Sequence, residues 1–445
     1  MSEPVRSAST LGIHLVPGVK PLNLWCYLLV AIISSAYAGA LAVLQPGLLH
    51  AMGIPHGEQA TLTGNLAALQ ELVFILLMGP IGALADRVGR RRVYAAGLLL
   101  TGLGYALYGQ ASSVAELVGL RLIVALGSAA VIGMMVTVIA DYPQEPDRGK
   151  ANGLQGMVAT LGAFVAPLLL PLPALFASQG LTELGAQQAT FAVAGSLGVF
   201  GAVIAAMGLS ANAGRIDRQA QPPLRKLLGE GLRSTNDPSI ALACAAAFTS
   251  RGVLAVTGAF MSLWLVQHGT SELGMTGSEA MGQLAMPRVL MIVTGALVGS
   301  ILMGILSDRM RRVTAVAVAA ALTTAVYTSL FFVSDPTAPW VFALLGLMGI
   351  AEISAFVSSQ ALVGQQAPAR LRGVIIGFFG VAGAVGILVG TTGGGLLFRH
   401  LGPSTPFVMF GGFNALVLIW ALWLRRRPDD LPETPPAATP VAGAA

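Results

Sequence analysis

The chain has 445 residues, of which 55% are hydrophobic and only 10% charged, and its mean hydropathy is +0.76. A soluble domain carries about 25% charged residues, so this chain cannot clothe a globule of its size in polar surface, and a soluble enzyme and a disordered scaffold are excluded. Its apolar runs are continuous, which excludes an alternating outer-membrane barrel, and its net charge of +5 forms no basic face for nucleic acid.

Residues 1–21 read as a cytosolic segment without the apolar core and small-residue cleavage site of a removable signal peptide. Apolar segments follow near 22–48, 60–84, 93–111, 113–140, 151–177 and 187–210, then near 239–267, 281–306, 313–333, 338–362, 371–398 and 405–424. Each is long enough for a helical crossing, which takes ~20 residues. The pattern predicts an all-α integral membrane protein of twelve transmembrane helices, with one six-helix bundle over 22–210 and a second over 239–424. Between them, 211–238 holds Arg215, Arg218, Arg225, Lys226 and Arg233 and reads as a cytosolic linker. Residues 425–445 open on Arg425, Arg426 and Arg427, then turn to Pro and Ala, the composition of a disordered tail.

Lys and Arg in short loops set orientation. With the N-terminus inside, the inner loops hold Arg87, Arg90, Arg91, Arg92, Arg148, Lys150, Arg309, Arg311, Arg312, Arg370 and Arg372, whereas Arg399 is the clear outer exception. Both termini are therefore expected in the cytosol, and the protein in a bacterial inner membrane.

The loop after the second span reads Gly82-Ala-Leu84-Ala-Asp86-Arg87-Val-Gly89-Arg90, and that after the eighth reads Gly304-Ile-Leu306-Ser-Asp308-Arg309. The shared residues lie 222 positions apart. Arg148-Gly149 with Gly153, and Arg372-Gly373 with Gly377, repeat at 224. Two motifs at nearly one offset argue for a duplicated six-helix unit, a common construction of secondary transporters. Span 5 carries Gly153, Gly162 and Ala166-Pro167, and span 11 carries Gly377, Gly386 and Gly390. Small residues four apart let helix backbones approach, which suits either close packing or two bundles that rock against each other.

At these residues the chain resembles the major facilitator superfamily across about residues 20–425. The loop from Gly82 to Arg92 is similar to its signature in both halves, with Arg311 where glycine is usual; Arg121 with Gly127 resembles its fourth-span motif. Gly153, Gly162 and Pro167 resemble its antiporter signature, from which Ala166, Leu170 and Pro171 depart. The resemblance implies an alternating-access carrier, a site between the halves, and a cavity lined by spans 1, 4, 7 and 10, where Arg121, Arg251 and Glu352 would face. On physical grounds Asp86 and Asp308, near Arg87, Arg90 and Arg309 and a helix N-terminus, are expected to latch the cytosolic side, together with Gly82 and Gly89; topology anchoring is the other account of the arginines.

An ionisable group at a span centre costs ~2.5–3.5 kcal/mol on insertion scales. Glu71, Arg251 and Glu352 lie mid-span, Arg121 two turns inside the outer end of span 4, and Arg288 near an outer end where it is free to snorkel. Glu71 is read as a proton site or as the partner of Arg121. Arg251 and Glu352 are read as a proton-coupling pair or as a permanent ion pair. Trp264 and Trp420 are expected as interface anchors, and Gln45-Pro46 as a kink in span 1. The five histidines fall outside span centres, the two cysteines have no metal spacing, and no phosphate-binding glycine-lysine loop occurs. No cofactor, metal or enzymatic activity is expected, and the proton gradient is the expected driving force. The leading expectation is export of amphiphilic compounds by a monomeric carrier in the lipid bilayer. The alternatives are import of an organic anion and an uncoupled facilitator or sensor.

Overall fold

The computed structural model describes residues 9–211, 237–367 and 372–426. The linker arginines 215, 218, 225 and 233, Lys226, Arg370 and the tail from Arg427 onward lie outside the described residues, as does the side chain of Arg372. Helix α1 spans Pro21–Ala51, α2 His56–Val88, α3 Arg90–Tyr108, α4 Val114–Asp141, α5 Arg148–Leu168 and α6 Glu183–Gly208. The second set is α7 Pro238–Ser271, α8 Met286–Arg309, α9 Arg312–Ser329, α10 Pro339–Gln366, α11 Arg372–Leu388 and α12 Thr405–Leu424. Only helices satisfy every backbone group within a segment in lipid, which is why uninterrupted apolar runs become helices here. Among the described residues eleven crossings have the length and apolarity of membrane spans. Helix α3 does not, because it opens on Arg90, Arg91 and Arg92.

Three crossings differ from the expected continuous runs. The fifth stops at Leu168 and resumes as a short helix over Leu172–Ser178. Pro171 and Pro173 lack the N–H that would continue the ladder. The eighth is preceded by a π-helical turn, Ala280–Ala285, and the eleventh continues through another, Val389–Gly393, into the helix Gly394–Leu401.

The duplication read from the loop motifs is visible in the packing. Helix α5 lies on α1 as α11 lies on α7, α4 on α2 as α10 on α8, and α6 on α3 as α12 on α9. The close approaches repeat too. A Cβ at Gly162 would lie 2.6 Å from Ser35 Cβ and collide with Ile32 O on α1, and one at Gly386 would collide with Phe248 O on α7. Gly390 sits 3.2 Å from Gly252 O by the same measure, and Pro167 is buried near the end of α5. These glycines join helices within each half. They do not form the face on which the halves meet, and Gly153 and Gly377 border open space.

Even helix number places the start of α1 and the end of α12 on one face, called here the terminal face. The halves meet toward the opposite face. Ser262 on α7 donates to Val43 O on α1 at 3.1 Å, and Gln267 donates to His56 O and Gln59 Oε1 at 3.1 Å each. Gly64 on α2 seats against Thr391 O in the second π turn, and a Cβ at Gly395 would lie 2.8 Å from Ala60 O. Toward the terminal face, Gly82, Gly156, Gly304 and Gly380 have no heavy atom within 4 Å of an added Cβ. The contacts named between the halves thus lie toward the face opposite the termini.

At the terminal face an antiparallel hairpin, Ser9–Thr10 with Ile13–His14, is tied to the α4–α5 loop. Val16 donates to Tyr142 O and Gln144 to His14 O, both at 2.9 Å. The Asp147 carboxylate takes Lys150 Nζ and His14 Nδ1 at 2.7 Å each, and the Lys150 bond, followed by those of His14, holds it well below the usual carboxylate range.

Gly162→Val and Gly386→Val should each destabilise the protein by about 1–3 kcal/mol through overpacking, whereas Gly153→Ala and Gly377→Ala should be near neutral. Thermal unfolding in detergent checks this, and equal losses at all four positions would contradict the packing described.

Candidate functional site

The loop signature resolves into parts with different work. Gly89 is both the C-cap of α2 and the N-cap of α3, at φ +100°. That backbone region favours glycine, so the turn rather than a latch contact requires it. Its counterpart Arg311 has φ −58° because Met310 and Arg311 form a longer, extended link, which is why arginine is tolerated there. Arg90 is buried against α4, paired with Asp141 and donating to Thr137 O at 3.0 Å. Asp86 contributes to its electrostatic surroundings while lying exposed, as does Arg87. In the second copy Asp308 accepts from Arg312 at 3.2 Å, and Arg309 is exposed. Among the described residues, the aspartates of both copies therefore make no ion pair between the halves. Asp141, the actual partner of Arg90, went unrecognised in the sequence because it lies at the end of an apolar span some fifty residues away.

Arg121 is 5% exposed and donates to Gln45 Oε1 at 3.1 Å. The same oxygen accepts from Tyr108 at 3.0 Å, and Gln45 Nε2 donates to Thr63 at 3.0 Å. A neutral amide on α1, not Glu71, is thus the partner of Arg121. The reading of Glu71 as that partner is corrected. Gln45 directly precedes Pro46, so this network braces α1 where it loses a backbone donor.

Glu352 is 6% exposed near the middle of α10. Tyr327 on α9 donates to its Oε2 at 3.1 Å, Thr257 on α7 also bonds it, and Thr257 and Tyr327 are 2.7 Å apart. Arg251 is not its ion-pair partner among the described residues. The guanidinium instead lies 5.4 Å from the ring centre of Phe356, one turn along α10, a cation–π arrangement. Its charge neighbour is Glu71 on α2, in the other half. Both Arg251–Glu352 readings are therefore replaced by a charge relation that crosses the halves. Helix rotation explains the difference: residues at similar depth on α7 and α10 point to different neighbours, which periodicity does not reveal. Aromatic rings stand nearby, with Phe248, Phe410 and Phe413 at centroid separations of 5.3–6.0 Å and Phe410 beside Gly252.

Two other expectations change. Trp264 is buried and packs on Phe407 at 6.1 Å, so it is a core residue rather than an interface anchor. Arg288 does not snorkel: it donates to Leu284 O, Pro336 O and Thr337 O at 3.1 Å each, clamping α8 to the α9–α10 loop. Tyr327 and Thr257 were missed because single hydroxyls in apolar spans resemble ordinary helix-packing residues; their pairing with Glu352 is tertiary.

Two duplicated helical halves joined at one face, with ionisable groups buried between and within them, define a multi-pass helical membrane protein. The chain matches the Major Facilitator Superfamily over residues 25–299 and 243–444, and it belongs to that family. Among solved structures, the nucleoside transporter NupG superposes with a TM-score of 0.73 at 14% identity, covering 90% of this chain and 99% of the other. A bacterial homologue of the human lysosomal transporter Spinster, inward-facing and unoccupied, gives 0.70 at 18% identity over 92% and 98%. In sequence, the chain is 26% identical over 416 residues to the magnetosome protein MamZ of Magnetospirillum gryphiswaldense, covering 89% of this chain and 61% of that one. The chain thus spans about three fifths of the length of its MamZ relatives. It is 24% identical to the magnetosome protein MamH of Paramagnetospirillum magneticum over 90% of this chain and 92% of that one. Shorter matches include Multidrug resistance protein 3 of Bacillus subtilis, 34% identical over 22% of this chain and 19% of that one.

A double-mutant cycle with Glu71→Gln and Arg251→Gln should give a coupling of about 0.5–3 kcal/mol in unfolding free energy. The Arg251→Gln and Glu352→Gln cycle should be closer to additive. The reverse order would restore the pairing within one half.

Proposed function

We propose that this chain is a proton-coupled secondary transporter that exports small amphiphilic compounds by alternating access, with Glu352 carrying the proton. The observation that supports it is the setting of Glu352: a carboxyl group buried mid-membrane, bonded by neutral hydroxyls, without a paired cation among the described residues. An isolated carboxylate there is costly, whereas a carboxylic acid is not. Motion of α7 or α9 removes the hydroxyl bonds and changes the proton affinity. The aromatic cluster beside Arg251 suits an amphiphile's apolar body, and the short relatives named as multidrug proteins agree with export.

The charge bias supports a terminal face in the cytosol of a bacterial inner membrane, and contacts joining the halves toward the opposite face agree with a conformation that opens inward. One chain contains the whole pathway and works as a monomer. Import of an organic anion is the second reading, supported by Arg251, whose charge is opposed only across the halves by Glu71. A short match to a probable L-galactonate transporter of Escherichia coli points the same way.

Proteoliposomes separate these readings. Under the export reading an amphiphile panel is moved by an imposed pH gradient, Glu352→Gln abolishes that movement, and substrate exchange without a gradient persists. Transport indifferent to pH in both proteins would leave an uncoupled facilitator. If organic anions move instead and Arg251→Gln stops them, the importer reading replaces export.

The exposed Asp86 is assigned to closing the terminal face, where it engages the other half only in the alternate state. Asp86→Asn should slow transport by about tenfold, on the order of 1.4 kcal/mol, with binding nearly intact. Lost binding in a folded protein would exclude the latch.

A further inference from the structure

We infer that Gln45 is a positioning residue for transport, which from inside the first half holds in register the contacts that close the face opposite the termini. The inference rests on the alternating-access reading but assigns Gln45 no contact with substrate or proton.

Those contacts fall on two short stretches of the first half, each one turn long. On α1, Val43 O accepts from Ser262 of α7 at 3.1 Å, and Gly47 leaves room for Met281 Sδ, with which a Cβ would collide. On α2, Gly64 seats against Thr391 O, and Ala60 O lies 2.8 Å from where a Cβ on Gly395 would stand. Met281 and Thr391 belong to the two π turns of the second half, Ala280–Ala285 and Val389–Gly393, a backbone form frequent at functional sites. Both stretches thus meet the second half through backbone or glycine, where a small shift decides between contact and collision.

Gln45 ties the two stretches together. Two residues from both Val43 and Gly47, it stands on the other side of the helix, so its side chain turns into the first half, where it is buried. Its Nε2 donates at 3.0 Å to Thr63 Oγ1, the neighbour of Gly64, while its Oε1 accepts from Arg121 at 3.1 Å and Tyr108 at 3.0 Å. Arginine has donors only, so the amide oxygen must face Arg121 and the amide nitrogen is left for Thr63. Arg121 is the anchor of this amide: it is buried and has no ion-pair partner among the described residues.

The need for such a tie is local. Pro46 supplies no N–H to α1 and its ring crowds the carbonyl of Ala42, so the helix is weakened between Val43 and Gly47, where its register matters. The amide restores a fixed spacing between α1 and α2 at that point. Its own bonds lie within the first half and persist whichever face is open, whereas the contacts that it registers exist only with the opposite face closed. Loss of the tie therefore falls on the closed form alone and shifts the population toward opening. One buried hydrogen bond is enough to change the ratio of the two forms by about 2- to 10-fold.

The test is a distance measurement by pulsed electron resonance across the opposite face in nanodiscs, without substrate or gradient. Spin labels are placed by Gln110→Cys and Leu273→Cys in a Cys26→Ser, Cys244→Ser background. Thr63→Val, which removes one arm of the tie, and Gln45→Met, which removes all of it, should each raise the ratio of long to short distances by about 2- to 10-fold. Gln45→Glu should return the parent ratio, because a carboxylate accepts from Arg121, from Tyr108 and from the Thr63 hydroxyl. Gly102→Ala, which overpacks α3 on Gly195 O of α6 away from this junction, should lower the unfolding temperature and leave the ratio as it was. An unchanged ratio in Thr63→Val and Gln45→Met, an equal change in Gly102→Ala, or no return in Gln45→Glu would each overturn the inference. No transport is read, so a failed export assay leaves the result standing on its own.

Discussion

Backbone-to-backbone contact between the halves is the constraint on which the rest of this structure depends. Gly64 against Thr391 O and Gly395 near Ala60 O bring α2 and the end of the eleventh crossing together without side chains between them. In lipid, where apolar surface gains little by leaving one apolar medium for another, association relies on such close packing and on hydrogen bonds. The bonds from Ser262 and Gln267 supply the second component. These contacts fix the two halves to each other toward the face opposite the termini.

That rigidity is itself an outcome of small residues. Gly162 of α5 against α1 and Gly386 of α11 against α7 lock equivalent helix pairs in the two halves. Each bundle can then act as a body, so a change at one face is transmitted to the other instead of dissipating in local rearrangement. The charged groups fall into place on this frame. Arg121 is braced inside the first half by Gln45, Glu352 inside the second by Tyr327 and Thr257, and Arg251 looks across to Glu71. Two of these groups belong to single bodies, and one relation spans both. The last is the one that relative motion of the bodies must change.

Much of the architecture was legible before any coordinates. Spans, duplication and the paired glycines of the fifth and eleventh crossings follow from apolar run length and from motif offset. The errors share a physical origin. Arg251 was matched to Glu352 by depth, Glu71 to Arg121 by complementary charge, and Trp264 to the interface by closeness to a span end. Depth along a helix is readable from residue count, but the direction in which a side chain points depends on how neighbouring helices are rotated and offset. The same lack of rotational information hid Asp141 as the partner of Arg90.

The sequence alone determined the class of the molecule, its helical crossings and its internal repeat, because the cost of exposing polar backbone and charge to lipid acts locally, run by run. Gly89 likewise follows from a local need, a turn at positive φ. Only the tertiary structure decided which face is closed, which carboxyl groups lack a cation, and which contacts join the halves. Those depend on a few tenths of a nanometre of helix rotation and approach, set by glycines and carbonyl oxygens from distant parts of the chain meeting at one place.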